Sequence, residues 1–249
     1  MSRTLTASDR SNLIRLASSL PVGSPERKAI LAGLVQTKVA ANEVNVPGQH
    51  TLGNAYADDA AWVFENARLS GNAVAKDSAR VFGNAQVSGK ATVSSSSKVY
   101  GNADVSGMSQ VGMYAEVYGD AKVSDTARVF FKAKVYDNAR VFGNAAVYGN
   151  SRVYGNAHVS GKATVYGATK VFDDAKIGGN AKVYNYAQVF GNAKVSGYAE
   201  VFGNARIGGK AIIGGKAIIG GTAVILGGEW DGSEGEILSG RWKAPGVPA

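Results

Sequence analysis

Ala79-Arg-Val-Phe-Gly-Asn84 reads as one short strand followed by one turn, and the same six-residue unit returns along most of the chain. From Ala55 to Ala223 every sixth residue is small: Ala in most units, Ser at 97, 109 and 151, Thr at 169. Two residues later stands an aliphatic, first Val63 and Leu69, then mostly Val, then Ile207, Ile213, Ile219 and Ile225. Ala57 and Ala75 are the weak members of that column. A fixed short period without insertions marks a repeat architecture and outranks local propensity. Residues two apart in an extended chain face one side, so the Ala and the Val of each unit share an apolar face. The residue between them, mostly Lys, Arg, Gln or Glu, faces away. Gly, Asp and Asn fill the turn, as residues that tolerate positive φ. The spacing predicts an all-β solenoid.

A longer period gives the size of the coil. Read every 18 positions, the residue after the Val column is Phe64, Phe82, Tyr100, Tyr118, Tyr136, Tyr154, Phe172 and Phe190 in one register. A second register is mostly Ser, and a third turns aromatic partway, at Phe130, Tyr148, Tyr166, Tyr184 and Phe202. Two residues past the first aromatic register runs an amide and acid column, from Asn66 through Asp120 and Asp174 to Asn192. Three units per coil make a three-sided prism in which equivalent residues stack one coil apart.

These residues resemble the hexapeptide-repeat family, over about 170 of the 249 residues. The resemblance implies a left-handed parallel β-helix; periodicity alone does not fix the hand. The Val-Tyr/Phe-Gly-Asn-Ala-Lys/Arg flavour is also similar to uncharacterised bacterial and phage proteins often labelled transferases. That label follows the fold, and fold does not carry function.

The expected organisation is one elongated domain with two end pieces: a helical hairpin over 1–46, the β-helix over 47–226, and a non-repeat cap or tail over 227–249. Nine to ten coils at ~4.8 Å give a rod about 45 Å long. Leu13, Ile14, Leu16, Ala17 and Leu20 fall at helical spacing behind Ser8-Asp9, and Ser24-Pro25-Glu26 opens a second helix. The hairpin is expected to cap the weak first coils or to dock elsewhere. In the last coil the outward residues become Ile212, Ile218 and Val224; with Trp230 and Trp242 of the tail they form an expected apolar collar, covered by the tail or by a partner.

Cys is absent, which excludes disulfide and thiol chemistry. Met1-Ser-Arg-Thr-Leu-Thr lacks the apolar core of a signal peptide, and the apolar stretch 211–228 carries Lys216 and keeps the repeat. The expectation is a cytoplasmic or virion-associated chain that neither spans nor anchors to a membrane. The formal net charge of +8 is spread along the rod.

Outward positions form two basic columns. One holds Arg80, Lys98, Lys134, Arg152, Lys170 and Arg206, interrupted by Glu116 and Gln188; the other holds Arg68, Lys122, Arg140, Lys176 and Lys194. Stacked like charges repel, so such a column either stays solvated or meets something acidic. The interspersed acids and the lack of a recognition module argue against nucleic acid. The aromatic columns have three readings: braces for the corners, the seam of a homo-oligomer (a trimer as first candidate) or larger assembly, and stacking platforms for a polysaccharide.

Members of the resembled family include acyltransferases that use a His near a subunit boundary and carbonic anhydrases that hold zinc on three His. This chain has His50 and His158 alone, so no cofactor or metal site is expected within it. His158 stands between Arg140 and Lys176 in the basic column, with no carboxylate evident to orient it as a base. No long loop interrupts the repeat to wall an acyl-donor site. The expected function is a non-catalytic structural or interaction rod, oligomeric, as a component of a phage virion or other assembly. An acyltransferase with His158 as general base is the alternative, and a carbohydrate-binding module on the aromatic columns the third reading.

Overall fold

The computed structural model of the chain describes residues 50–58, 60–245 and 247–248. The expected hairpin over 1–46 lies outside them. The described residues form a parallel solenoid of three sheets, with strands eighteen residues apart paired in register, as in Val135↔Val153 and Val153↔Val171. The first face runs from strand Thr51–Gly53 to Glu229–Trp230, the second from Tyr56–Ala57 to Glu236–Ile237, and the third from Trp62–Val63 to Val247–Pro248. The first and second sheets have eleven strands each, so the rod has about eleven coils, one more than the repeat alone suggests.

Most strands are two residues long, the first pointing out and the second in. From Ala61 to Ala223 the small column is fully or almost fully buried, and so is the aliphatic column from Val63 to Ile225. Each such Val contributes about 1.5–3 kcal/mol by leaving water. The small residue is small because it also closes the corner. In many coils its N–H donates to the carbonyl three residues back, as from Ala67 to Phe64 at 3.3 Å and from Ala91 to Ser88 at 3.2 Å. Ser97, Ser109, Ser151 and Thr169 are buried there at no polar cost, because each hydroxyl donates to that same carbonyl at 2.6–2.7 Å.

Positive φ at the corner explains the Gly and Asp of the repeat. Gly83 has φ +72°, and a β carbon there would lie 2.9 Å from the Gly101 nitrogen. The corner between the second and third faces changes partway along the rod. Asp77-Ser78, Ser95-Ser96 and Met113-Tyr114 each place two consecutive residues at positive φ. Ser96 N–H donates back to Asp77 at 2.9 Å and Tyr114 N–H back to Ser95 at 3.1 Å. Later turns on this corner donate forward, as from Asn150 to Gly167 at 2.7 Å. The aromatic column of this corner begins at Phe130, where the turn changes.

The tail does not lie over the rod as a separate cover. Its strands Glu229–Trp230, Glu236–Ile237 and Arg241–Ala244 pair in parallel with the last repeat strands and add one more coil at uneven spacing. Val247–Pro248 then pairs antiparallel with Arg241–Ala244 and closes that sheet edge.

Candidate interaction surfaces

The corner between the third and first faces carries the longest organised array. Phe64, Phe82, Tyr100, Tyr118, Tyr136, Tyr154, Phe172 and Phe190 stack at centroid separations of 4.8–5.4 Å, with planes within 11° of parallel. The coil pitch sets this spacing, and each ring is half-buried by its neighbours. Burial pushes the Tyr100 hydroxyl up to about 12, with Glu116 adding to the effect. The other aromatic corner is less regular. Tyr166, Tyr184 and Phe202 stack at 4.9 and 5.3 Å, while Phe130 and Tyr148 are 6.2 Å apart and Phe131 meets Tyr148 edge-on.

Beside the first ladder runs an amide ladder. Asn66, Asn84 and Asn102 each donate from the side-chain amide to the next coil, ending on Asp120 Oδ1 at 2.9 Å; Asn156 likewise donates to Asp174 Oδ1 at 3.1 Å. A carboxylate accepts without donating, so each Asp terminates its chain.

The two basic columns differ in how their charge is compensated. On the third face Glu116 sits between Lys98 and Lys134, with N–O distances of 3.7 and 2.9 Å, and Arg206 lies 5.5 Å over the Phe190 ring. On the second face Lys182 meets Glu200 at 2.9 Å, and Tyr184 donates to the same carboxylate at 3.2 Å. The first face has a different pattern. Five successive strands present Lys122, Arg140, His158, Lys176 and Lys194, Cα-paired in register. Among the described residues no carboxylate oxygen comes within 4 Å of any of the five.

His158 lies half-buried in the middle of that row, its ring edge-on to Phe142 at 6.2 Å. Burial lowers its pKa below 6.5, and the charges of Arg140 and Lys176 lower it further against a smaller opposing pull from Asp174. Asn156, Asp174, Lys176, Asn192, Lys194, Lys210 and Ile212 line one shallow groove with it. The sequence reading missed Asp174 as a neighbour because it belongs to the corner column, which abuts the first face. Among the described residues no hydrogen bond joins Asp174 to the imidazole. His50 is tied into the first coil, its Nδ1 2.9 Å from the Ala67 carbonyl. No three His, Asp or Glu side chains among the described residues gather as a metal cluster.

Two corrections concern the expected collar. Ile212, Ile218 and Val224 do point outward and are half-buried, but Trp230 and Trp242 turn inward, in register with Ile213 and Ile225. Trp230 is 2% exposed and its indole N–H donates to the Gly227 carbonyl at 2.8 Å. The two indoles meet edge-on at 6.3 Å and plug the end of the core, while Glu229, Glu236 and Arg241 take the outward positions beside the collar. An exposed group also escaped the sequence reading. Met113, Tyr114 and Phe131 stand out from adjacent coils at positive φ, and the slot shared by Met113 and Phe131 elsewhere holds mostly Gly, Asn, Asp or Ser. Bulky residues in that slot were the available signal.

Among the described residues no helix is long and apolar enough to cross a membrane. No curated protein matches the chain. Residues 133–149, about one coil, match the family model described as YdcK Beta solenoid repeat. The three parallel sheets make the described residues a β-solenoid of about eleven coils, and the matched segment is similar to a repeat of that kind.

Proposed function

We propose that this β-helix is a non-catalytic rod whose function is to present its outer columns to other macromolecules. The observation that carries this reading is the surface itself: from Ala61 to Ile225 every corner is a short turn, and no loop rises to wall a cleft. A rigid convex prism suits display and assembly better than enclosure of a reacting pair. Self-association, with a trimer as first candidate, is the assembly mode we favour, and a phage particle or comparable large assembly is the setting such a rod suits. The exposed Met113, Tyr114 and Phe131, held in costly backbone conformations, support a contact surface on this flank.

The acyltransferase reading has one observation in its favour: Asp174 shares the groove of His158. Against it, Asp174 takes a hydrogen bond from Asn156, and two cations flank the imidazole. The sugar-stacking reading loses support because the ring faces of the long ladder are spent on one another. Native mass spectrometry of gently purified protein tests the rod. A ligand-free oligomer agrees with it; a trimer carrying the mass of coenzyme A would favour the enzyme, and a ligand-free monomer would remove the aromatic-seam part of the proposal.

A further inference from the structure

The uncompensated row on the first face is the feature the fold itself does not need. Lys122, Arg140, Lys176 and Lys194 are exposed, with His158 between them. One residue per coil places their Cα atoms about 4.8 Å apart. Like charges directly opposite one another destabilise a sheet. The other faces relieve this repulsion by interleaving Glu116 and Glu200, whereas here five strands pass without an acid, from Asp104 at one end of the row to Ile212 at the other. Among the described residues the row has no ion pair, only the smaller pull of Asp174 from the adjoining corner, and an external anion would offset the remaining cost.

The shape of the row narrows the partner. It is a single file of four cations with His158 at its centre, so it fits one extended polyanion lying along the rod axis. The flanking groove offers the side chains of Asn156 and Asn192, neutral donors and acceptors suited to hydroxyl groups. A single-stranded nucleic acid gains much of its affinity by stacking bases on free aromatic faces. Along the ladder that borders this face, those faces are occupied by neighbouring rings, and among the described residues near the row only Tyr198, at its end, is an exposed aromatic.

We propose that the first face binds a linear acidic polysaccharide along Lys122, Arg140, His158, Lys176 and Lys194. This rests on the display-rod reading and gives it a partner. The test is fluorescence-detected binding of the full chain to an alginate oligomer at low and at moderate ionic strength. Neutral dextran serves as the control, and oligothymidylate as the competing polyanion. The expected result is salt-sensitive binding to alginate that weakens at least tenfold in R140Q/K176Q. The salt slope should fall by about one for each cation removed. R140K/K176R, which keeps the charge, should bind nearly as wild type, and unchanged melting temperatures would exclude a folding defect.

Three outcomes overturn the proposal: no alginate binding even at low ionic strength, an equal loss from K134Q/K170Q on the third face, or tighter binding of oligothymidylate through the same row. Coenzyme A found by mass spectrometry would instead sink the non-catalytic reading while leaving the binding result intact.

Discussion

The ring of Phe190 lies over the α carbon of Gly208, so close that a β carbon there would have no room. Phe190 ends the long ladder, and Gly208 occupies the next rung with no side chain, letting the last ring lean onto the backbone; Phe202 lies on Gly220 in the same way. Gly208→Ala should therefore force the ring upright and destabilise the rod by about 1–3 kcal/mol, the usual range for overpacking. Gly208→Phe should cost less than Gly208→Ala, because an upright Phe190 regains a stacking partner. Chemical denaturation of both variants decides it; equal losses would show that the ladder has no appetite for another rung.

The buried hydroxyls make the opposite prediction. Ser97 Oγ donates to the Ser94 carbonyl at 2.7 Å, but the Ser97 N–H serves the same acceptor at 3.2 Å. Ser97→Ala leaves no orphaned carbonyl and should change stability by less than about 1 kcal/mol. Val99→Ala, two residues on at a fully buried site, should cost about 2 kcal/mol for two lost methyl groups, more if the cavity persists.

Alkaline stability should report the ladders. Burial, aided by Glu116, raises Tyr100 to about 12, and burial with the Glu200 hydrogen bond raises Tyr184 to about 12. A folded-state pKa above the unfolded value of 10 means the native state holds the proton more tightly. That contribution is complete below pH 10 and is lost as pH rises towards 12. Burial also raises Tyr118, Tyr136 and Tyr154, so ultraviolet titration should find Tyr100 and Tyr184 among a set of tyrosines ionising late, together with a falling melting temperature in that window. With Tyr100→Phe as the spectral reference, Glu200→Gln should move the Tyr184 ionisation to lower pH while leaving it above 10, because burial, the larger cause, remains.

His158 gives an acid-side counterpart. Burial first, then Arg140 and Lys176, depress its pKa below 6.5, with Asp174 opposing. The unfolded chain therefore takes up the proton first, and this residue erodes stability as pH falls below 6.5. In the His158→Gln variant that part of the decline should vanish. Proton NMR of the imidazole should show the depressed value, and a polyanion on the row should raise it.

The pitch, the three faces and the identity of the core were legible because Ala and Val repeat every six residues and Phe64 to Phe190 every eighteen. Stacking followed from that arithmetic, since residues one coil apart have nowhere else to put their rings. The tail was not legible. Parallel pairing asks only for backbone hydrogen bonds, so Glu229, Glu236 and Arg241 join the sheets without keeping the hexad, and Trp230 enters the core where a Val column would stand. The row of four cations with His158 among them could be written down from the sequence. That Asp174 borders the row without an ion pair to it needed the corner columns to be placed in space.

Because every coil repeats the same eighteen-residue contour, the molecule is a ruler with discrete graduations. Removing one internal coil, such as 139–156, should bring Asn138 against Ala157 and leave each surviving strand with an equivalent neighbour. The rod would shorten by ~4.8 Å and keep both of its ends. Small-angle scattering of such a deletion would read the graduation directly. A chain built this way sets the distance between whatever its two ends hold, one coil at a time.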